Sequence, residues 1–491
     1  MDSFAADMSL AHEIGKDFCV RSRCYPFSRS GDTYRVAAET YDELLIEALQ
    51  LRTEKKVELC EVDPRNLETQ IRLIAGDTSR DHQGGTMSDL IKEQIEIGNE
   101  GSVEELREKS QAEPVVKLVN DIVDQAIAEG ATDIHLEPHE LLIKIRYRKD
   151  GMLRESLELP KWVQAPLISR IKILAELDIA EKRRPHDGRI KWVSNGETID
   201  MRVSTLPTRL GEKVVIRILK HAFYVSHLDS LGMPGNILAD IKRIIHKPQG
   251  MFFVTGPTGS GKTSTLYAAL REILHKDINI STIEDPIEYR MDGANQVQIN
   301  EKAGLTFASV LRSLLRQDPD VMLVGEIRDE ETAALAVQAA QTGHLVLSTL
   351  HTNDAASAVT RLLDLKVKPF LISSAVLGIL AQRLVRRVCT DCGTSQAPQP
   401  EELDFLPDLP ENCPVAAGCD RCGHTGYSGR TGIFEFLPVT HKIKEAILRG
   451  QSEADIRQKA EIQPLIRDGF TKIKDGITTV SELMRVAMAE S

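Results

Sequence analysis

"GMFFVTGPTGSGKTSTLYAALREIL" (residues 250–274) decides the fold. Its first part, GMFFVTG, is a short apolar run and reads as a buried strand; its last part, KTSTLYAALREIL, has helical periodicity. Between them lies a complete G-x-x-x-x-G-K-[ST] pattern: Gly256, Pro257, Thr258, Gly259, Ser260, Gly261, Lys262 and Thr263. Strand, glycine loop and helix in that order make a phosphate cradle. The glycines let backbone N–H groups curl around a β-phosphate. Lys262 neutralises β- and γ-phosphate oxygens, and Thr263 offers a hydroxyl to Mg²⁺. The helix N-terminus adds its dipole. ATP and Mg²⁺ are therefore the expected ligands.

Three more apolar strands with polar C-terminal ends follow: NISTIEDP (279–286), DVMLVGE (320–326) and HLVLSTLHT (344–352). This is the pattern of an α/β fold, a P-loop ATPase core whose mostly parallel sheet carries its site at the carboxyl edge. The strand Val321–Val324 is where an Asp for Mg²⁺ is expected, yet it ends in Gly325, and the acid comes one residue late, as Glu326. Mg²⁺ keeps several waters in such sites, so a longer side chain one position later can act through water. A second glutamate can orient the attacking water. Glu284 is the candidate, clustered with Asp285 and Glu288; the alternative is that these acids only decorate a loop. His351, at the end of its strand, is placed to sense a γ-phosphate, whereas His344 begins the same strand.

The N-terminal half has a different texture. Residues 1–80 mix short helical and strand-like pieces without visible chemistry and read as a small docking domain. Residues 81–114 are polar and read as a linker. From 115 to about 228 the pattern is α+β. In ELLIKIRYRKDGML (140–153), Leu141, Ile143, Ile145 and Tyr147 fall on one face, and Lys144, Arg146 and Arg148 on the other; Asp150-Gly151 signals a hairpin. Further strands, ETIDMRVSTLP and GEKVVIRILK, place Arg202 and Arg217 among apolar neighbours. Each needs an anion or open solvent: either these are outer-face residues, or their planar forks meet a phosphate. The P-loop ATPase domain is expected over 229–491.

Composition sets limits. The 491 residues carry 61 basic and 73 acidic side chains, a net charge of −12, which argues against general capture of nucleic acid. The N-terminus lacks the basic start and apolar core of a secretory signal, and no run reaches a membrane span, so a cytosolic location is expected. Four of the eight cysteines form two C-x-x-C pairs, Cys389/Cys392 and Cys419/Cys422, 26 residues apart. In a cytosolic chain this reads as a closed, structural Zn²⁺ site within a subdomain at 389–425. A redox pair is the alternative, but no thioredoxin-like context surrounds either one. Cys19, Cys24, Cys60 and Cys413 have no ligand spacing. The basic flanks QRLVRRVC and RCGHTGYSGRTG read as solvated faces, with contact to anionic lipid or a membrane partner as the alternative.

Taken together, GPTGSGKTSTLYAAL, TIEDPIEY, LLRQDPDVMLVGEIRD and TGHLVLSTLHTND resemble the Walker A, Asp box, atypical Walker B and His box of the secretion and type IV pilus traffic ATPases. With TDIHLEP, RYRKDGML, DGRI, MRVSTLPT and GRTGIFEF, the similarity runs from about 115 to 440. It is nearest to the assembly ATPases of type II secretion. That family's Walker B has glycine then glutamate, and its extension members carry a tetracysteine insert. The resemblance implies that Arg202 and Arg217 are arginine fingers, and that Arg312, Arg316 and Arg328 match further arginines, with Arg328 free to pair with Asp329. It also implies a homo-hexamer, peripheral on the cytoplasmic face of the inner membrane, bound through its N-terminal domain to a secretion platform protein. Its work would be pseudopilus assembly; type IV pilus assembly is the alternative.

Overall fold

The computed structural model describes residues 110–194, 196–219 and 227–488 without a break, and, nearer the N-terminus, 6–15, 22–31, 33–40, 43–53 and 55–62 with a few single positions. Most of the expected 81–114 linker lies outside these residues.

The chain divides into two compact units, 1–93 and 94–491. In the first, the strands β1 (Cys24–Ser30), β2 (Thr33–Ala38) and β3 (Lys56–Glu61) form a three-stranded sheet. β1 and β2 are antiparallel; β2 and β3 are parallel and joined through the helix Glu43–Thr53, because parallel neighbours need a crossover. Tyr25, Tyr34, Val36 and Leu49 fill its core, together with the buried thiols of Cys19 and Cys24.

The second unit holds two large sheets. The first is antiparallel throughout, built from β4 (Asp133–Pro138), β5 (Leu142–Lys149), β6 (Met152–Pro160), β7 (His186–Ser194), β8 (Glu197–Thr208) and β9 (Gly211–Leu219), in the order β6-β5-β4-β9-β8-β7. Asp150 and Gly151 both take positive φ, +49° and +82°, and close the β5–β6 hairpin as expected. Ile143, Ile145 and Tyr147 are buried. Leu141 is not: it precedes β5 and is 85% exposed, so the expected apolar face starts one alternation later. The helices Glu113–Glu129 and Gln164–Leu174 bring further buried apolar residues.

The second sheet contains β10 (Gly250–Thr255), β11 (Ile280–Glu284), β12 (Ala294–Gln298), β13 (Val321–Val324), β14 (Leu345–Leu350), β15 (Val376–Val388) and β18 (Tyr427–Pro438), ordered β12-β11-β13-β14-β10-β15-β18. All pairings are parallel except β15 with β18. The sheet is buried on both faces. Met251 and Phe253 enter one apolar layer, and Phe252 and Val254 the other. That is why β10 reads as a continuous apolar run rather than an alternating one. The ribbon β16 (Gly393–Gln396) and β17 (Cys413–Ala416) lies between β15 and β18 in the chain. No helix among the described residues is long and apolar enough to cross a membrane.

Candidate functional site

β10 ends at Thr255 and the helix Lys262–Ile273 begins six residues after Gly256, so the glycine loop sits at the carboxyl edge of the sheet. Gly256 (φ +149°) and Gly261 (φ +88°) use backbone conformations closed to other residues, and a Cβ at either would collide with β15. Lys262 Nζ donates to the carbonyls of Gly256 (2.7 Å) and Pro257 (3.0 Å). Burial pushes its pKa down to about 8; the carboxylate of Glu326 works against that shift and the charge of Arg383 adds to it.

The displaced acid has a steric cause. Gly325 donates its N–H to the carbonyl of Ile283 on β11 at 2.8 Å. A Cβ at Gly325 would stand 3.0 Å from that carbonyl and 3.4 Å from Glu284 Cα. The backbone of β11 thus leaves little room for a side chain at this position, and the carboxylate stands one residue later, at Glu326. There it lies 2.6 Å from Arg328 Nε and 3.5 Å from His351 Nε2, largely buried. Burial, followed by the charge of Lys262, lowers the His351 pKa below its ordinary value, so the ring is neutral at pH 7. The structure therefore gathers Lys262, Glu326, Arg328 and His351 at the ends of neighbouring strands. Arg328 does not pair with Asp329, as the sequence suggests. Asp329 is instead the N-cap of the helix Glu330–Gln341, accepting from Thr332 N at 2.8 Å.

Glu284 ends β11 as expected, but its carboxylate is committed elsewhere. It is 4% exposed and accepts from Tyr267 Oη, from Thr282 Oγ1 at 2.7 Å and from Gln296 Nε2 at 3.2 Å. With both oxygens taken, it ties β11 to the helix Lys262–Ile273 and to β12. Asp285 and Glu288 follow it in less buried positions.

Arg202 and Arg217 face each other across β8 and β9, and Arg189 on β7 faces Arg202 in turn. All three line a cleft of about 550 Å³ that Asp285 and Pro286, just after β11, also line. Arg202 Nη2 reaches the carbonyl of Ile287 at 3.0 Å, while Arg217 Nε pairs with Asp133 at 3.0 Å. Burial lowers the Arg202 pKa, the carboxylate of Glu288 opposes the shift, and the like charges of Arg189 and Arg217 add to it. Arg189 was not singled out by the sequence: its motif DGRI was visible, but its place in an in-register row depends on strand pairing. Arg312 and Arg316 lie at the end of the helix Phe307–Leu314, Arg312 pairing with Glu331 and Arg316 Nη1 donating to Arg312 O at 2.8 Å. His344 Nδ1 lies 2.9 Å from Ala339 O, a helix-end contact.

The flank QRLVRRVC is no solvated face. Arg383 is 4% exposed and bonds the carbonyls of Gln382 and Asn353. Arg386 stacks on Tyr427 at 3.9 Å and pairs with the buried carboxylate of Glu482 at 2.7 Å.

The sulfurs of Cys389, Cys392, Cys419 and Cys422 all lie within 4.8 Å of one another. Three of the separations are 4.0, 3.8 and 3.8 Å. Tetrahedral thiolates around Zn²⁺ at about 2.3 Å stand about 3.8 Å apart, so the donor set fits that ion. The N–H groups of Cys419 and Gly426 point at Cys422 Sγ, both at 3.2 Å. Cys413 stands outside the cluster.

The family described as "Type II/IV secretion system protein" matches residues 108–485. The Type II secretion system ATPase E of Vibrio cholerae is 43% identical over 99% of this chain and 95% of its own length. The Type IV pilus assembly ATPase PilB of Thermus thermophilus is 47% identical over 75% of this chain and 42% of its own. Among solved structures, the pilus retraction motor PilT with bound ADP superposes with a TM-score of 0.52 at 26% identity, covering 74% of this chain and 96% of that one. The chain belongs to the Type II/IV secretion system protein family.

Proposed function

We propose that this chain is the ATP-hydrolysing motor of a type II secretion system, driving pseudopilus assembly and so the export of proteins. The observation that carries the reading is the meeting of Lys262, Glu326, Arg328 and His351 at the carboxyl edge of the sheet, beside a complete phosphate loop. Lys262 meets the β- and γ-phosphates of ATP. Mg²⁺, held through Thr263 and, by way of water, Glu326, would neutralise charge on the transferring group. The acid cluster Glu284, Asp285 and Glu288 supplies the acceptor for an attacking water, with Glu284 anchoring the cluster at the end of β11. Neutral His351 reads the γ-phosphate through Glu326. Arg202 and Arg217 reach the developing charge when the cleft closes.

Secretion is favoured over type IV pilus assembly by coverage: the match to the secretion ATPase takes in 99% of the chain, that to the pilus ATPase 75%. The first 80 residues are the docking domain for an inner-membrane platform protein, residues 115–228 carry the arginines, and 229–491 form the motor with its zinc subdomain at 389–425. The working form is a homo-hexamer on the cytoplasmic face of the membrane, without nucleic acid. The test is Lys262→Ala in the full chain: the protein folds, phosphate release stops and export stops with it. Normal phosphate release from the folded variant would remove the assignment. Intact export beside failed pilus extension would favour the pilus reading.

A further inference from the structure

The phosphate loop rests on β15, and one side chain there bonds both the loop and the helix that follows it. Gln382 is 3% exposed, and both ends of its amide are engaged. Nε2 donates to the carbonyl of Ser260 at 2.9 Å, and Oε1 accepts from Thr265 Oγ1 at 2.6 Å. A Cβ at Gly256 would stand 2.5 Å from the Gln382 carbonyl, and one at Gly261 would stand 2.7 Å from Gln382 Nε2. The Gln382 amide thus occupies the space under Gly261, while at Gly256 it is the backbone of β15 that leaves no room, and the carbonyl between the two glycines is fastened to the Gln382 side chain.

That fastening has a direction. In a trans peptide the C=O and the following N–H point opposite ways. Holding the Ser260 carbonyl toward β15 turns the Gly261 N–H away from β15, toward the open side of the loop. We propose that Gln382 is a positioning residue for nucleotide phosphates: it aims the Gly261 N–H and so sets the affinity of the loop for ATP and ADP. The inference rests on the reading of this loop as an ATP site. An N–H aimed before binding serves ground state and transition state alike, so its loss raises KM and leaves kcat nearly unchanged. That separates Gln382 from Glu326 and the arginines, whose loss falls on kcat.

The test is ADP titration of the full-length protein beside steady-state phosphate release. Gln382→Glu keeps the shape and still accepts from Thr265, but a carboxylate cannot donate to the Ser260 carbonyl. At pH 7.5 ADP affinity should fall about ten- to a hundredfold, as expected when a buried acceptor loses its donor, with kcat within about threefold of wild type. At pH 5.5 the introduced carboxyl, its pKa raised by burial, regains a proton it can donate. The ratio of variant to wild-type affinity should then recover most of the loss. Thr265→Val, which drops only the second bond, should weaken ADP about threefold with no such recovery. Wild-type affinity in a folded Gln382→Glu, or a loss that is equal at both pH values, overturns the inference. Should that variant fail to fold, unchanged affinity and KM in Thr265→Val overturns it. A wild-type protein that binds no ADP overturns the ATP reading and this inference together; binding by wild type with no loss in the variant overturns this inference alone.

Discussion

Glu326 accepts a hydrogen bond from Arg328 at 2.6 Å and stands 3.5 Å from His351, so a single carboxylate has beside it one side chain from its own loop after β13 and one from the residue that follows β14. Glu326→Gln keeps the volume and removes the charge that both partners and Lys262 respond to. Phosphate release should fall at least about a hundredfold, in the range expected for loss of a positioned acid or base. ATP affinity should stay within a few-fold, because the loop that binds it is intact. Turnover near wild type in the folded variant would show that another carboxylate does this work.

The phosphate-loop lysine gives the site a pH dependence. Its pKa of about 8 in the free protein lies below the ordinary 10.5 because of burial. Bound phosphate favours the charged form, so above pH 8 binding must take up a proton. Affinity is then full below about pH 7 and declines as pH rises, by about tenfold between pH 7 and 9. Titrations with ADP across this range measure it. Lys262→Arg, whose charge does not titrate there, should flatten the curve; an equally steep curve in that variant would assign the effect to a different group.

One tightly held zinc per chain is expected from the four-sulfur cluster. Cys389→Ser should lose the metal and raise proteolytic sensitivity across 389–422, while ADP binding persists. Elemental analysis of protein purified without chelators checks the first part; a metal-free result would remove the site.

The arginines of the cleft should act on rate. Arginines supplied to a transferring phosphoryl group are worth about 10³–10⁵ in other systems. Arg202→Ala and Arg217→Ala should therefore cut turnover steeply while leaving nucleotide affinity and melting temperature close to wild type. The in-register row on β7, β8 and β9 sets like charges side by side, and Arg217 offsets this through Asp133 at 3.0 Å, so melting is the control that separates a lost ion pair from a lost finger. An unchanged rate in the folded double variant would return these residues to the role of strand-face arginines.

The sequence made the motor sheet legible because its strands are buried on both faces and its glycine loop has few alternatives. It could not say where a carboxylate points. Glu284 stands at the strand end that the pattern gave it, but its orientation is set by Tyr267 and Gln296, from a different helix and a different strand. Arg328 looked equally able to pair with Asp329 until the backbone made Asp329 a helix cap. Gln382 belongs to no pattern at all: its importance comes from a parallel pairing of β10 with β15, more than a hundred residues apart in the chain. Arg386 had the composition of a basic flank, yet the buried Glu482 that claims it lies in the last helix.

β15 and β18 are antiparallel neighbours, with Arg386 opposite Arg430 and Val388 opposite Tyr427. Topologically they are the two arms of a hairpin, and the whole segment between Cys389 and Gly426 is a detour at its tip. The four cysteines mark the entry and exit of that detour. Phe405, Leu406 and Leu409 of the detour pack against the apolar core beneath it, and Cys413 is part of that core. The detour is thus both a departure from the hairpin and a cover for the layer that the hairpin helps to form.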